Sequence, residues 1–72
     1  MVAAEALGGT GDAYVELKNY DKAETYFKKA ADEAKNKFLS PLYLKKLGLV
    51  YEAENNNKDA EETYKKNKIR LL

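Results

Sequence analysis

Apolar residues recur along this chain at three- and four-residue steps, the spacing of one face of an α-helix. Leu7, Gly11, Tyr14 and Leu17 form a first such stripe, and Tyr20, Ala23, Phe27, Ala30, Ala34 and Phe38 a second. Leu44, Leu47, Gly48, Val50 and Tyr51 form a third, and Ala60, Tyr64, Asn67 and Leu71 a fourth. The spacing predicts four helices, over Ala3–Leu17, Asp21 to about Lys37, Pro41–Glu54 and Lys58 to about Arg70. Polar breaks separate them. Lys18–Tyr20 reads as a tight turn with Asn19 in the left-handed conformation that ends helices, and Asn55–Asn57 as a second turn. Ser40 is placed as the cap of the third helix, with Pro41 at its first position, where the missing N–H costs nothing. Gly8, Gly9 and Gly11 weaken the first helix, since each interior Gly costs about 1 kcal/mol relative to Ala. That helix is expected to fray, or to be secure only from Thr10 onward.

The pattern is written twice. At an offset of 37 residues Leu7 lies over Leu44, Gly11 over Gly48, Tyr14 over Tyr51, Ala23 over Ala60 and Phe27 over Tyr64. Self-similarity at such a period marks a repeat architecture. The run Leu–(x3)–Gly–(x2)–Tyr–(x8)–Ala–(x3)–aromatic, present in both halves, resembles the tetratricopeptide repeat, a helix–turn–helix unit of about 34 residues. The period here is three residues longer, most simply one more turn on the second helix. Ala30 holds the small position after the aromatic, whereas Asn67 replaces it in the second copy. The Pro expected near the end of a repeat has no counterpart in the first. The resemblance implies an all-α fold of four antiparallel helices in two stacked helix–turn–helix pairs. It is one domain over 1–72, with repeat one at about 4–37 and repeat two at about 41–72.

The resemblance also implies a site. In stacked helix pairs the first helix of each lines a concave surface used for partners. Carried over position by position, that surface holds Glu5, Gly8, Gly9, Asp12, Val15 and Glu16 in the first repeat. In the second it holds Leu42, Lys45, Lys46, Leu49 and Glu52. Repeats that grip a C-terminal carboxylate place Lys and Asn where this chain has Gly8 and Asp12, so that ligand is not expected. A groove acidic at one end, with Lys45 and Lys46 beside Leu42 and Leu49 at the other, suits a protein or peptide segment of mixed charge with apolar anchors. The alternative is an assembly element, self-associating or part of a longer array, because fewer than about three repeats seldom stand alone. No closing polar helix follows the fourth helix, so self-association through that end is expected.

Composition narrows the chemistry. Ala, Glu, Lys, Leu and Arg supply 40 of 72 residues, a helix-rich usage. A chain of this size buries only about 60–65% of its unfolded surface, so a marginal core is expected. With no His and no Cys the usual general bases, thiol nucleophiles and soft metal ligands are missing. The carboxylates fall at helix starts or among lysines, and none are expected to pair in an apolar pocket. Catalysis, cofactors and metals are therefore not expected. The stretch Gly8–Gly11 lacks the Lys-Ser or Lys-Thr of a phosphate loop. Ser40, the only serine, has no base to activate it. Net charge is +1, divided as −2 over residues 1–36 and +3 over 37–72. Lys65, Lys66, Lys68 and Arg70 complement the end of the last helix dipole and lack the aromatic platform of a nucleic-acid site. No apolar run spans a bilayer and no signal peptide opens the chain, so the default location is cytoplasmic. A soluble piece of a longer anchored protein would read the same.

Overall fold

The computed structural model describes residues 3–34 and 39–66. It contains four helices: α1 (Ala4–Glu16), α2 (Tyr20–Ala34), α3 (Leu39–Ala53) and α4 (Asn57–Lys66). Each packs on the next, and α1 also touches α3, which gives two stacked helical hairpins in a slab of 33 × 28 × 15 Å. The all-α, paired-helix architecture is the expected one.

The two hairpin turns are built alike. At the first, Lys18 takes φ 58° and its N–H donates to the Val15 carbonyl, while the Asn19 N–H donates to Tyr14. At the second, Asn55 takes φ 61° and donates to Glu52, while Asn56 donates to Tyr51. Both are Schellman motifs, which satisfy the last carbonyls of the helix they close. This corrects the expectation for Asn19, which sits one position too late for the left-handed residue. Instead its Oδ1 accepts the Lys22 N–H at 3.4 Å and caps α2. Asn56 does the same for α4, with its Oδ1 accepting the Asp59 N–H at 3.3 Å and its Nδ2 donating to Asp59 Oδ2 at 2.6 Å.

The core runs through both hairpins. Ala23, Phe27, Ala30 and Ala31 of α2 are buried against Leu47, Val50 and Tyr51 of α3, with Ala60 and Tyr64 of α4 beyond them. Small residues let the aromatics in. A Cβ on Gly11 would stand 2.6 Å from Phe27 Cε1, and one on Gly48 would collide with the Tyr64 ring. Gly8 has the same reason to be glycine, because a Cβ there would fall on the Tyr43 ring. The expected fraying of the first helix is accordingly not seen: α1 is helical from Ala4, with Ala4, Gly8 and Gly11 buried. Packing against Tyr43 offsets the weak helix propensity of Gly8.

Further boundaries shift. Helix α3 already includes Leu39, so Ser40 lies inside it and is not its cap. Pro41 still falls in the first turn, where no intrahelical partner is needed. Leu17, placed on the inward stripe, is the exposed residue closing α1. Helix α2 begins at Tyr20 and α4 at Asn57, each one residue early. The expected run of α2 to Lys37, the place of Phe38, and the far end of α4 with Asn67, Lys68, Arg70 and Leu71 lie outside the described residues.

Candidate functional site

Helices α1 and α3 open helical hairpins, so their exposed sides lie next to one another. Between them is a hollow of about 300 Å³. Val15 of α1 and Leu49 of α3 form its lips, 36% and 50% exposed. Phe27, Val50, Ala53 and Tyr20 complete an apolar floor and end wall. At the other end Lys46 Nζ donates to Asp12 Oδ1 at 2.9 Å and Oδ2 at 3.0 Å. Lys46 also stands over the Phe27 ring, 5.9 Å from its centroid, so its stem covers the core while its head closes the ion pair.

Asp12, Val15, Lys46 and Leu49, all named from the sequence, thus come together on one surface. Glu16, Leu42, Lys45 and Glu52 are exposed but do not line the hollow. Glu52 is directed to the Tyr64 hydroxyl, whose pKa is raised by burial first and by Glu52 second. Gly8, carried over as a groove position, is covered by Tyr43. The hollow is not acidic at one end and basic at the other: Asp12 and Lys46 neutralise each other within it. Tyr20, Phe27, Val50 and Ala53 were not among the expected lining residues, because helical spacing assigns the first three to the core and does not reveal which core edges an adjacent repeat leaves open.

A second cluster lies at the turn end of the hairpins. Carboxylate oxygens of Asp21, Glu24 and Glu54 come within 4.8 Å of one another. Burial, then a hydrogen bond with Glu54, raises the Glu24 pKa to about 7. The neighbouring hollow, lined by Lys18, Asn19, Tyr20, Asp21 and Glu54, is polar and open, so it is not an apolar pocket of the kind in which no carboxylate pair was expected. On the outer side Lys28 reaches Tyr51, 5.8 Å above its ring, and a side-chain hydrogen bond there raises the lysine pKa.

Stacked helix–turn–helix pairs with a groove between their first helices define a short α-solenoid. Residues 4–37 match the family model for the tetratricopeptide repeat, and the four described helices fit two such repeats. This repeat is in general a non-catalytic module of protein–protein interaction. No curated protein and no solved structure matched the chain. No described helix is long and apolar enough to cross a membrane.

Proposed function

We propose that the chain binds a protein segment in the groove between α1 and α3, inserting an apolar side chain between Val15 and Leu49. The observation that supports this reading is that pair of exposed apolar lips over an apolar floor, beside an ion pair that leaves little net charge. An apolar anchor gains about 25 cal/mol per Å² buried there, and flanking polar or charged groups of the segment meet Lys45, Glu16 and the rim of the Asp12–Lys46 pair. Binding rather than catalysis is the activity, given a chain without His or Cys. We read the partner as protein rather than nucleic acid: Lys46 beside the groove is paired with Asp12, and Lys65 near the end of α4 with Glu61 at 3.0 Å. The test is selection of binders from a displayed random peptide library on the 72-residue chain, followed by Leu49→Asp and, as a control on the outer face of α2, Glu33→Lys. Peptides with a shared apolar anchor that lose at least tenfold in affinity with Leu49→Asp, and keep it with Glu33→Lys, support the groove. Binders indifferent to Leu49→Asp overturn it.

A second reading, self-association, has its own observation. Tyr14 and Tyr26 stack at 5.5 Å between ring centroids and are only half-buried. Their counterparts in the second repeat, Tyr51 and Thr63, are buried, and Lys28 of α2 lies over Tyr51. The first repeat therefore presents a face that the second covers with a neighbouring helix. Sedimentation equilibrium tests this: a mass that grows with concentration and reverts to monomer with Tyr26→Glu supports assembly through that face, and a constant monomer mass sinks it.

A further inference from the structure

The contact between the two repeats has a receiving side and an inserting side. The receiving side belongs to the second repeat: Tyr43, Leu47, Val50 and Tyr51 of α3 and Thr63 of α4, all buried. The inserting side belongs to α2, where Lys28 stands 5.8 Å above the Tyr51 ring and Glu24 comes within 4.8 Å of Glu54. The offset of 37 residues writes each side a second time. The receiving side recurs in the first repeat as Ala6, Thr10, Ala13, Tyr14 and Tyr26, and there all five are exposed or half-buried. The inserting side recurs on α4 with the same residue types, Glu61 for Glu24 and Lys65 for Lys28. Their side chains are 68% and 74% exposed and pair with each other. Leu17, the counterpart of Glu54, is a large apolar residue left 73% exposed at the edge of the first face.

We propose that copies of this chain stack head to tail, α4 of one copy lying on α1 and α2 of the next as α2 lies on α3 and α4 within the chain. This rests on the self-association reading and names the surface that its tyrosine face receives. Lys65 takes over Tyr14 the place that Lys28 holds over Tyr51, and the stem of Glu61 packs on Leu17 where Glu24 meets Glu54. One charge differs. Lys22, 5.5 Å from the Tyr14 centroid, stands where Asp59 stands in the second repeat. The incoming Glu61 supplies the negative charge there, as Glu24 and Asp59 both do around Lys28. The polarity of the stack follows from charge: residues 1–36 sum to −2 and residues 37–72 to +3. Head-to-tail contact sets these halves side by side, whereas two heads would set like against like. Such a contact does not close on itself, so the stack grows. It also brings α3 of one copy beside α1 of the next and so lengthens the groove.

The experiment is sedimentation equilibrium of the whole chain and two variants, alone and mixed. The head variant, Ala13→Arg, puts a long cation at an exposed position whose counterpart, Val50, is 3% exposed within the chain. The tail variant, Glu61→Lys with Lys65→Glu, exchanges the pair on α4 and so keeps net charge and a partner for each side chain. The wild type is expected to exceed twice the single-chain mass and to keep rising with concentration. Each variant alone stays at the single-chain mass. An equimolar mixture of the two reaches twice that mass and stops, because one sound head and one sound tail remain to join. Far-UV circular dichroism checks that the variants fold, and Tyr26→Glu or Lys65→Glu stands in for one that does not. A wild type fixed at the single-chain mass overturns the self-association reading and this contact together. A tail variant that associates like the wild type overturns the head-to-tail contact alone and leaves the tyrosine face meeting itself. A head variant that does so overturns both. A mixture that stays at the single-chain mass while the wild type associates overturns the head-to-tail contact as well.

Discussion

The ring of Tyr43, on α3, fills the space that any side chain on Gly8, in the middle of α1, would need. Both residues are buried, and Tyr43 is only 5% exposed. Nothing meets a Cβ on Gly9, one residue later. The two adjacent glycines should therefore respond oppositely. Gly8→Ala forces the Tyr43 ring off its seat and should cost about 1–3 kcal/mol, as overpacking does. Gly9→Ala adds helix propensity with no collision and should gain up to about 1 kcal/mol. Urea melts followed by far-UV circular dichroism measure both. Equal effects of the same sign would mean that α1 and α3 do not approach as described.

Tyr43 also shows where the sequence stops being readable. The pairs at an offset of 37 residues, such as Ala23 with Ala60 and Phe27 with Tyr64, are legible because local spacing and duplication agree. Tyr43 stands four residues before Leu47 and seven before Val50, on the buried face of its own helix, but helical spacing does not reveal that the gap at Gly8 in α1 receives its ring. Thr63 is similar: it is buried at the interface between repeats, with its hydroxyl donating to the Asp59 carbonyl at 2.7 Å. Asp12 with Lys46, and Glu24 with Glu54, are pairs of distant residues that no periodicity aligns. Half of the expected groove was legible for the same reason, since position in the repeat selects the face but not the residues on which a neighbouring repeat leans.

The left-handed residue of the first turn offers a gain in stability. Lys18 is exposed and holds φ 58°, a conformation that costs a non-glycine residue about 1–2 kcal/mol. Lys18→Gly should stabilise the chain by about 0.5–1 kcal/mol, less the extra freedom Gly brings to the unfolded state. Its partner in the second turn is already Asn55, so Asn55→Gly should gain less. At the following positions Asn56→Ala should cost more than Asn19→Ala, at about 1 kcal/mol or above. Asn56 makes two bonds with Asp59, whereas Asn19 makes a single long one. A larger loss at Asn19 would contradict this ranking of the caps.

Removing either member of the Asp12–Lys46 pair should not have the same effect. The side chains are 53% and 33% exposed, so a double-mutant cycle should give a coupling below about 1 kcal/mol that shrinks with salt. Lys46→Ala additionally uncovers the Phe27 ring and should cost more than Asp12→Ala. Lys46→Met, which keeps the stem and drops the charge, should recover most of that difference. If Met behaves like Ala, the stem is not what protects Phe27.

Leu49 and Val50 are neighbours with opposite duties. Leu49 is 50% exposed at the groove lip, and Val50 is 3% exposed in the floor. An Asp at position 49 keeps its carboxylate in water, so Leu49→Asp should change stability by no more than about 0.5 kcal/mol. An Asp at position 50 would have to bury that charge against Phe27 and Tyr20 or push the repeats apart. In so small a chain Val50→Asp should abolish the cooperative melt. The comparison fixes how peptide binding is to be read. With Leu49→Asp folded, lost affinity reports the groove. If Leu49→Asp unfolds the chain as Val50→Asp does, position 49 belongs to the core, and the lip of the proposed binding surface must be sought at Val15 alone.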